Sequence, residues 1–318
     1  MKDALQHNKP LATVLTVADY KAGEEESWDE LRLTLNGLAA QDFAGPIEHL
    51  LVESKHSTLA IPEEFLQILP TLKVVRAEGH TSYDFKNAGA SAASSDFVIM
   101  LDADCAPHPK WLSSVMAHRA AHPEAAAISG RTLYKTEGLL PRIFALLDRG
   151  YVDPGHAGPT KAISNNNGAF ARDVIVKYPL RNDVGPFGSK PHSQKLLADG
   201  KELRFEPGMV AYHGYGGWEM AKEIRKHTGY SMARYRQVNP QARWAWMYRA
   251  GTLGIVMITG MSIMNSCLNC VRLGSCYGIK WYQIPIAWGV AIRTHLMEIP
   301  GLVLGMNGGS MGAEDAYR

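Results

Sequence analysis

Short apolar runs alternate with helical stripes through the first two-thirds of the chain. Leu11 to Val17 is a β-branched run and predicts the first strand. Ser27 with Glu30 three residues on predicts a capping box, after which Leu31, Leu35 and Leu38 mark one helical face. Ile47 to Val52 predicts a second strand ending at Glu53, and Leu72 to Val75 a short third. Tyr83 to Ala93 reads as a helix of small residues, Phe97 to Leu101 as a solidly apolar strand, and Ala125 to Ser129 as another strand. This β-α-β-α order predicts an α/β, Rossmann-like domain: a mostly parallel sheet with right-handed crossovers and helices on both faces. Ligands of such sheets bind beyond the carboxyl ends of the strands, which singles out Asp19, Glu53, Arg76 and Asp102.

After about residue 140 the pattern loosens into Gly/Pro-rich loops. Leu203–Phe205 and Met209–Tyr212 read as a hairpin or a pair of strands, and Trp218 to Arg236 as a basic amphipathic helix. No charged residue falls between Ala250 and Val271, and a second apolar region runs from Trp281 to Ile292. The first of these is long enough to span a bilayer, but Thr252, Thr259, Ser262, Asn265 and Asn269 make it a poor span. A helix packed on the domain, or lying in the membrane interface beside the basic helix, is the expectation. The chain therefore divides into a domain over residues 1–236 and an apolar helical extension over 237–318.

Composition narrows the classes. The 318 residues are 46% hydrophobic and 20% charged, which excludes general disorder. Thirty-three basic against 31 acidic residues give a net charge of +2, so no bulk field calls for nucleic acid. Cys105, Cys267, Cys270 and Cys276 imply no disulfide scaffold in a chain of this size and read as buried thiols. Met1-Lys2-Asp3 opens no apolar leader, and the expected location is the cytoplasm, with peripheral attachment at the inner face of a membrane.

The sharpest chemical feature is the apolar run Val98–Leu101 leading into Asp102-Ala103-Asp104. Residues i and i+2 of a strand point the same way, so both carboxylates can face one hard cation. Mg²⁺ or Mn²⁺ is commonly held by one or two carboxylates, with phosphate and water completing the shell, which suits a nucleoside diphosphate leaving group.

Three further segments stand in order around it, Lys86-Asn87, Ser164-Asn165-Asn166-Asn167-Gly168-Ala169-Phe170, and Phe205 to His213 ending in a histidine after a strand, with Asp96 just ahead of the apolar run. The ordered set resembles the family 2 glycosyltransferases over roughly residues 11–236, which implies a GT-A-type fold. The nucleotide-binding half would then run from about 11 to 105 and the acceptor half from about 106 to 236. On that resemblance Asp102 and Asp104 are the DxD residues for metal and diphosphate, and His213 completes the metal shell. Lys86 and Asn87 stand near the nucleotide, and Asn167 and Gly168 on the acceptor side. Asp19, Tyr20 and Glu53 replace the family's usual residues after the first two strands and are expected to contact base and ribose. Trp218, after Gly214-Tyr215-Gly216-Gly217, reads as an acceptor-side lid or as a turn into the next helix.

The implied reaction is inverting, metal-assisted transfer of a sugar from a nucleoside-diphosphate sugar to a hydroxyl of a saccharide or lipid-linked acceptor. One departure bears on it. The Glu-Asp pair that carries the family's base falls here at Gly188-Ser189, where no carboxylate stands. An attacking hydroxyl needs a proton acceptor within reach, and Asp183 and His192 are the nearby candidates. A nucleotide-sugar-binding protein without a base, and a sugar nucleotidyltransferase, are the alternatives.

Overall fold

The computed structural model describes residues 9–18, 28–57, 60–181 and 188–311. The elements in chain order are β1 (Ala12–Val17), α1 (Asp29–Ala39), β2 (Ile47–Ser54), α2 (Glu64–Ile68), β3 (Leu72–Ala77), α3 (Ser82–Ala92), β4 (Phe97–Asp102), β5 (Cys105–Pro107) and α4 (Trp111–Ala121). They continue with β6 (Ala127–Tyr134), α5 (Leu139–Arg149), β7 (Gly158–Pro159), β8 (Asn167–Ala171), α6 (Arg172–Lys177), α7 (Ser189–Ala198), β9 (Leu203–His213) and α8 (Gly217–Val238). The apolar end of the chain forms α9 (Gly251–Leu273), α10 (Ile284–Met297) and α11 (Ile299–Met306).

One sheet runs in the order β3-β2-β1-β4-β8-β6-β9-β5, with β7 paired to β9. The predicted parallel arrangement occupies β3-β2-β1-β4; β1, β2 and β4 are buried on both faces, whereas β3 is an edge strand with Lys73, Val74 and Arg76 exposed. Beyond β4 the sheet is mixed: β8 enters antiparallel to both β4 and β6, while β9 runs parallel to β6.

Three local expectations are corrected. Helix α1 starts at Asp29 on Trp28, with no side-chain cap, so Glu30 is its second residue; Ser27 lies outside the described residues. The reciprocal capping box is instead at α3, between Thr81 and Asp84. The expected pair of late strands is the single strand β9: its register against β6 jumps between Gly130 and Arg131, so that Pro207, which cannot donate to a ladder, sits in an irregularity. Of the four thiols, Cys105 and Cys270 are buried, and Cys267 and Cys276 are half-buried.

The helices after residue 236 share a core with the elements before it. Phe144, Ala221, Leu273, Ala287 and Val290 belong to one buried cluster. Helices α8 and α11 pack closely because they meet at glycines: a Cβ on Gly229 would come 2.2 Å from the Glu298 carbonyl oxygen, and one on Gly301 1.9 Å from that of Lys226. Buried Arg225 of α8 pairs with Asp148 of α5, and with Glu298 at 3.0 Å just ahead of α11. His295 Nδ1 lies 2.9 Å from the same Glu298, and Tyr134 donates to Asp148. Arg225→Met should therefore strand two buried carboxylates and destabilise the chain by roughly 3–5 kcal/mol, read as a lowered urea midpoint at unchanged slope.

Candidate active site

A cleft of about 300 Å³ opens at the carboxyl ends of β1 and β4. Asp102 is the last residue of β4, and Asp104 lies in the turn between β4 and β5. The strand-parity argument thus ends at Asp102, yet the turn brings both carboxylates to the cleft wall. Strand pairing supplies the third group. Cys105 of β5 stands opposite His213, the last residue of β9, which places His213 Nε2 2.9 Å from Asp104 Oδ2.

Each carboxylate has a nitrogen partner. Lys86 Nζ lies 2.6 Å from Asp102 Oδ1, with its side chain buried against the cleft. Small residues let α3 approach the sheet this closely: a Cβ on Gly89 would come 2.0 Å from Leu15 Cδ1. Burial opposes the charge on Asp104, but His213, the Cys105 thiol and Arg149 outweigh it and hold that carboxyl well below the usual range. Burial likewise pushes His213 down, and Asp104 more than offsets it, so its pKa is raised.

The donor set fits a hard divalent cation. Oxygen, nitrogen and sulfur atoms of Asp104, His213 and Cys105 lie within 4.8 Å of one another. His213 Nδ1 donates to the Gly214 carbonyl, the bond that fixes a tautomer with Nε2 available as a ligand. Burial and the two aspartates push the Cys105 thiol well up, so it stays protonated and is a poor ligand. The usable atoms are then carboxylate oxygen and imidazole nitrogen, a set compatible with Mg²⁺ or Mn²⁺.

The remaining predicted residues divide. Glu53 is fully buried; its Oε1 accepts from the Ser54 amide at 2.7 Å, Oε2 has no partner among the described residues, and burial raises its pKa. Asp19, Tyr20 and Asp183 lie outside the described residues. Asn87 does not face the cleft: its amide pairs with both the N–H and the carbonyl of Leu180, at 2.9 Å each. Asn167 is likewise engaged, accepting from Trp111 Nε1 and donating to the Arg131 and Met209 carbonyls. Gly168 is a buried residue of β8, opposite Met100 and Ser129. Trp218 packs edge-on to Phe144 under the Arg293 guanidinium, 3.8 Å from its ring centre, and is not on the cleft wall. His192 is buried, and its Nε2 donates to the Tyr178 carbonyl at 2.8 Å. Burial pushes it down to about 4, and it too is absent from the cleft wall.

Sequence reasoning missed several wall residues. Ser164, Asn165 and Asn166, just ahead of the predicted Asn167, line the cleft, as do Tyr83 and Arg149. So do two exposed carboxylates, Glu30 of α1 and Glu223 of α8. Ser189, at the counted place of the family's base, is on the wall as well, with its hydroxyl 3.4 Å from that of Tyr151.

The sheet order and its helices form a GT-A-like fold, as in two solved structures. The mannosyltransferase PcManGT from Pyrobaculum calidifontis, solved with GDP-Man and Mn²⁺, superposes with a TM-score of 0.62 at 15% identity, covering 96% of this chain and 89% of that one. GalNAc-T7 with UDP, GalNAc and Mn²⁺ gives a TM-score of 0.50 at 16% identity, covering 74% of this chain and 52% of that one.

Residues 24–149 of the chain match the family model described as Glycosyl transferase family 2. Over 142 residues it is 27% identical to the pre-mycofactocin glycosyltransferases of two Mycobacterium tuberculosis strains, covering 41% of this chain and 29% of theirs. It thus spans less than a third of the length of these curated relatives.

Proposed function

We propose that the chain transfers a hexosyl group from a nucleoside-diphosphate sugar to a hydroxyl acceptor, with inversion at the anomeric carbon. The observation that carries this reading is the grouping of Asp102, Asp104, Lys86 and His213 on one cleft at the carboxyl ends of the parallel strands. A divalent cation held by Asp102, Asp104 and His213 would supply charge neutralisation for the departing diphosphate. Lys86 orients Asp102 and adds fixed positive charge to the wall, as does Arg149. The buried Oε2 of Glu53, unpartnered among the described residues, is suited to accept a hydrogen bond from the nucleoside. Ser164, Asn165 and Asn166 provide polar contacts for the sugars.

Glu223, an exposed carboxylate on the wall, is the base in this reading. It takes the acceptor hydroxyl proton as that oxygen bonds to the anomeric carbon, and the glycosidic C–O bond breaks with its electron pair passing to the diphosphate. Ser189 at the family's base position favours a second reading, a protein that binds the donor without transferring it. A thermal-shift screen of UDP-, GDP- and dTDP-sugars with and without Mn²⁺ identifies the donor. NMR of the product should then find the opposite anomer. Retention would contradict a single displacement, and metal-dependent binding without turnover would establish the second reading.

The enzyme is proposed to work at the cytoplasmic face of a membrane, attached peripherally. The segment Gly251–Tyr277 is long and apolar enough to cross a membrane, with 27 residues and a mean hydropathy of 1.5. Its outer stripe Leu253, Val256, Met264, Leu268 and Val271 is 56–65% exposed. Trp281, Tyr282 and Trp288 are exposed beside it, and Arg272, Lys280 and Arg293 supply exposed cations. Full-length protein should float with phosphatidylglycerol vesicles. Val256→Asp with Leu268→Asp should reduce this sharply, since each apolar side chain contributes roughly 1.5–3 kcal/mol on burial. Wild-type protein that stayed at the bottom of the gradient would contradict attachment.

A further inference from the structure

A second cavity, of about 330 Å³, lies between α7, α8, the segment after α8, and α9. Lys190, Arg236 and Arg243 line it, and none of the described residues on its wall is a carboxylate. Arg236 is buried; it donates to the Met232 and Arg243 carbonyls and lies over the Tyr248 ring, 4.6 Å from its centre. Burial and the Arg236 guanidinium push the Lys190 ammonium down to about 8, the sign of cations gathered in a partly dry space. The opposite wall comes from α9: Ile258 and Met261, one turn from the exposed stripe, with polar Ser262 and Asn265 beside them. Exposed Trp244 stands on the wall too, and exposed Trp246 follows it.

The two cavities are neighbours. Ser189 lines the DxD cleft and Lys190 the second cavity. Along α8, His227 lines the cleft and Met232 the second cavity, a rise of roughly 7.5 Å at 1.5 Å per residue. A ligand reaching both would be anionic in the middle, polar toward the cleft and apolar toward α9.

We propose that this second cavity binds the phosphate of a lipid-linked acceptor, with the hydrocarbon against α9 and the saccharide end reaching along α8 into the cleft. The acceptor role rests on the transferase reading above; the anion site itself does not. Guanidinium groups suit phosphate through charge-assisted, paired hydrogen bonds, and cations already desolvated by the fold strengthen that attraction. The charge pattern answers to the anion, and the exposed stripe of α9 answers to the tail.

Calorimetry on the full chain tests this with decyl phosphate below its micelle concentration, and with inorganic phosphate and decanol as its two halves. Decyl phosphate should bind at least about tenfold more tightly than either half. Arg236→Gln should weaken it on the order of tenfold, and so should Arg243→Gln, whose exposed side chain can be changed without risk to the core. Mn²⁺-dependent binding of a nucleoside diphosphate should be unchanged in both. Inorganic phosphate binding as tightly as decyl phosphate would overturn the amphiphile. Decanol binding as tightly, or full affinity in Arg243→Gln and Arg236→Gln, would overturn the anion site. Wild-type protein that bound decyl phosphate but no nucleoside diphosphate would overturn the acceptor role alone.

Discussion

Asp104→Asn should lower turnover by on the order of 10²–10³ and remove the dependence of donor affinity on Mn²⁺. Asp104 sits beside His213 in the turn that follows the central strand, and His213 holds its carboxyl well below the usual range against the cost of burial. Loss of one preorganised group that stabilises developing charge typically costs that much. The amide keeps the shape and can still hydrogen-bond, so fold stability should change little beside the catalytic loss. Calorimetry with donor, in Mn²⁺ and in EDTA, separates the two effects. If the variant and the wild type respond alike to metal, Asp104 does not hold a cation.

Glu223→Gln should cut turnover by roughly two to four orders of magnitude while sparing donor binding, the signature of a lost general base. Glu223 is exposed on α8, so the substitution removes no buried contact. Asp183→Asn is the necessary comparison, because Asp183 is the carboxylate closest in sequence to the family's base position and lies outside the described residues. Near-wild-type turnover in Glu223→Gln with collapse in Asp183→Asn would move the role to Asp183. Wild-type turnover in both would exclude each of them. His192→Ala should act differently, through stability, because its ring anchors α7 to the Tyr178 carbonyl.

Strands β1 and β4 were legible because they are buried on both faces, which makes each a largely apolar, β-branched run with ends near the observed ones. Strand β8 was not, since Asn167-Gly168-Ala169 carries little β-propensity and is held by pairing to β4 and β6. At the site, the Lys86, Asp102, Asp104 and His213 grouping was foreseen, with His213 delivered by a strand pairing that no local spacing encodes. Asn87 and Asn167 were misplaced for one reason: a buried amide can satisfy backbone groups as readily as a ligand, and here both do so. Glu223 escaped notice because an isolated glutamate on an amphipathic helix looks like any solvated residue until α8 is placed along the cleft. The absence of a carboxylate at the family's base position was legible in the sequence, and the structure adds that the serine there, Ser189, lines the cleft.

The most direct measurement is a calorimetric titration of the full chain with UDP and with GDP, each in Mn²⁺ and in EDTA. One of the two should bind in a single site with Mn²⁺ and lose at least about tenfold in affinity without it, a difference of about 1.4 kcal/mol. Binding of neither nucleotide, or equal affinity with and without the cation, would contradict a metal-assisted nucleotide-sugar site at Asp102, Asp104 and His213.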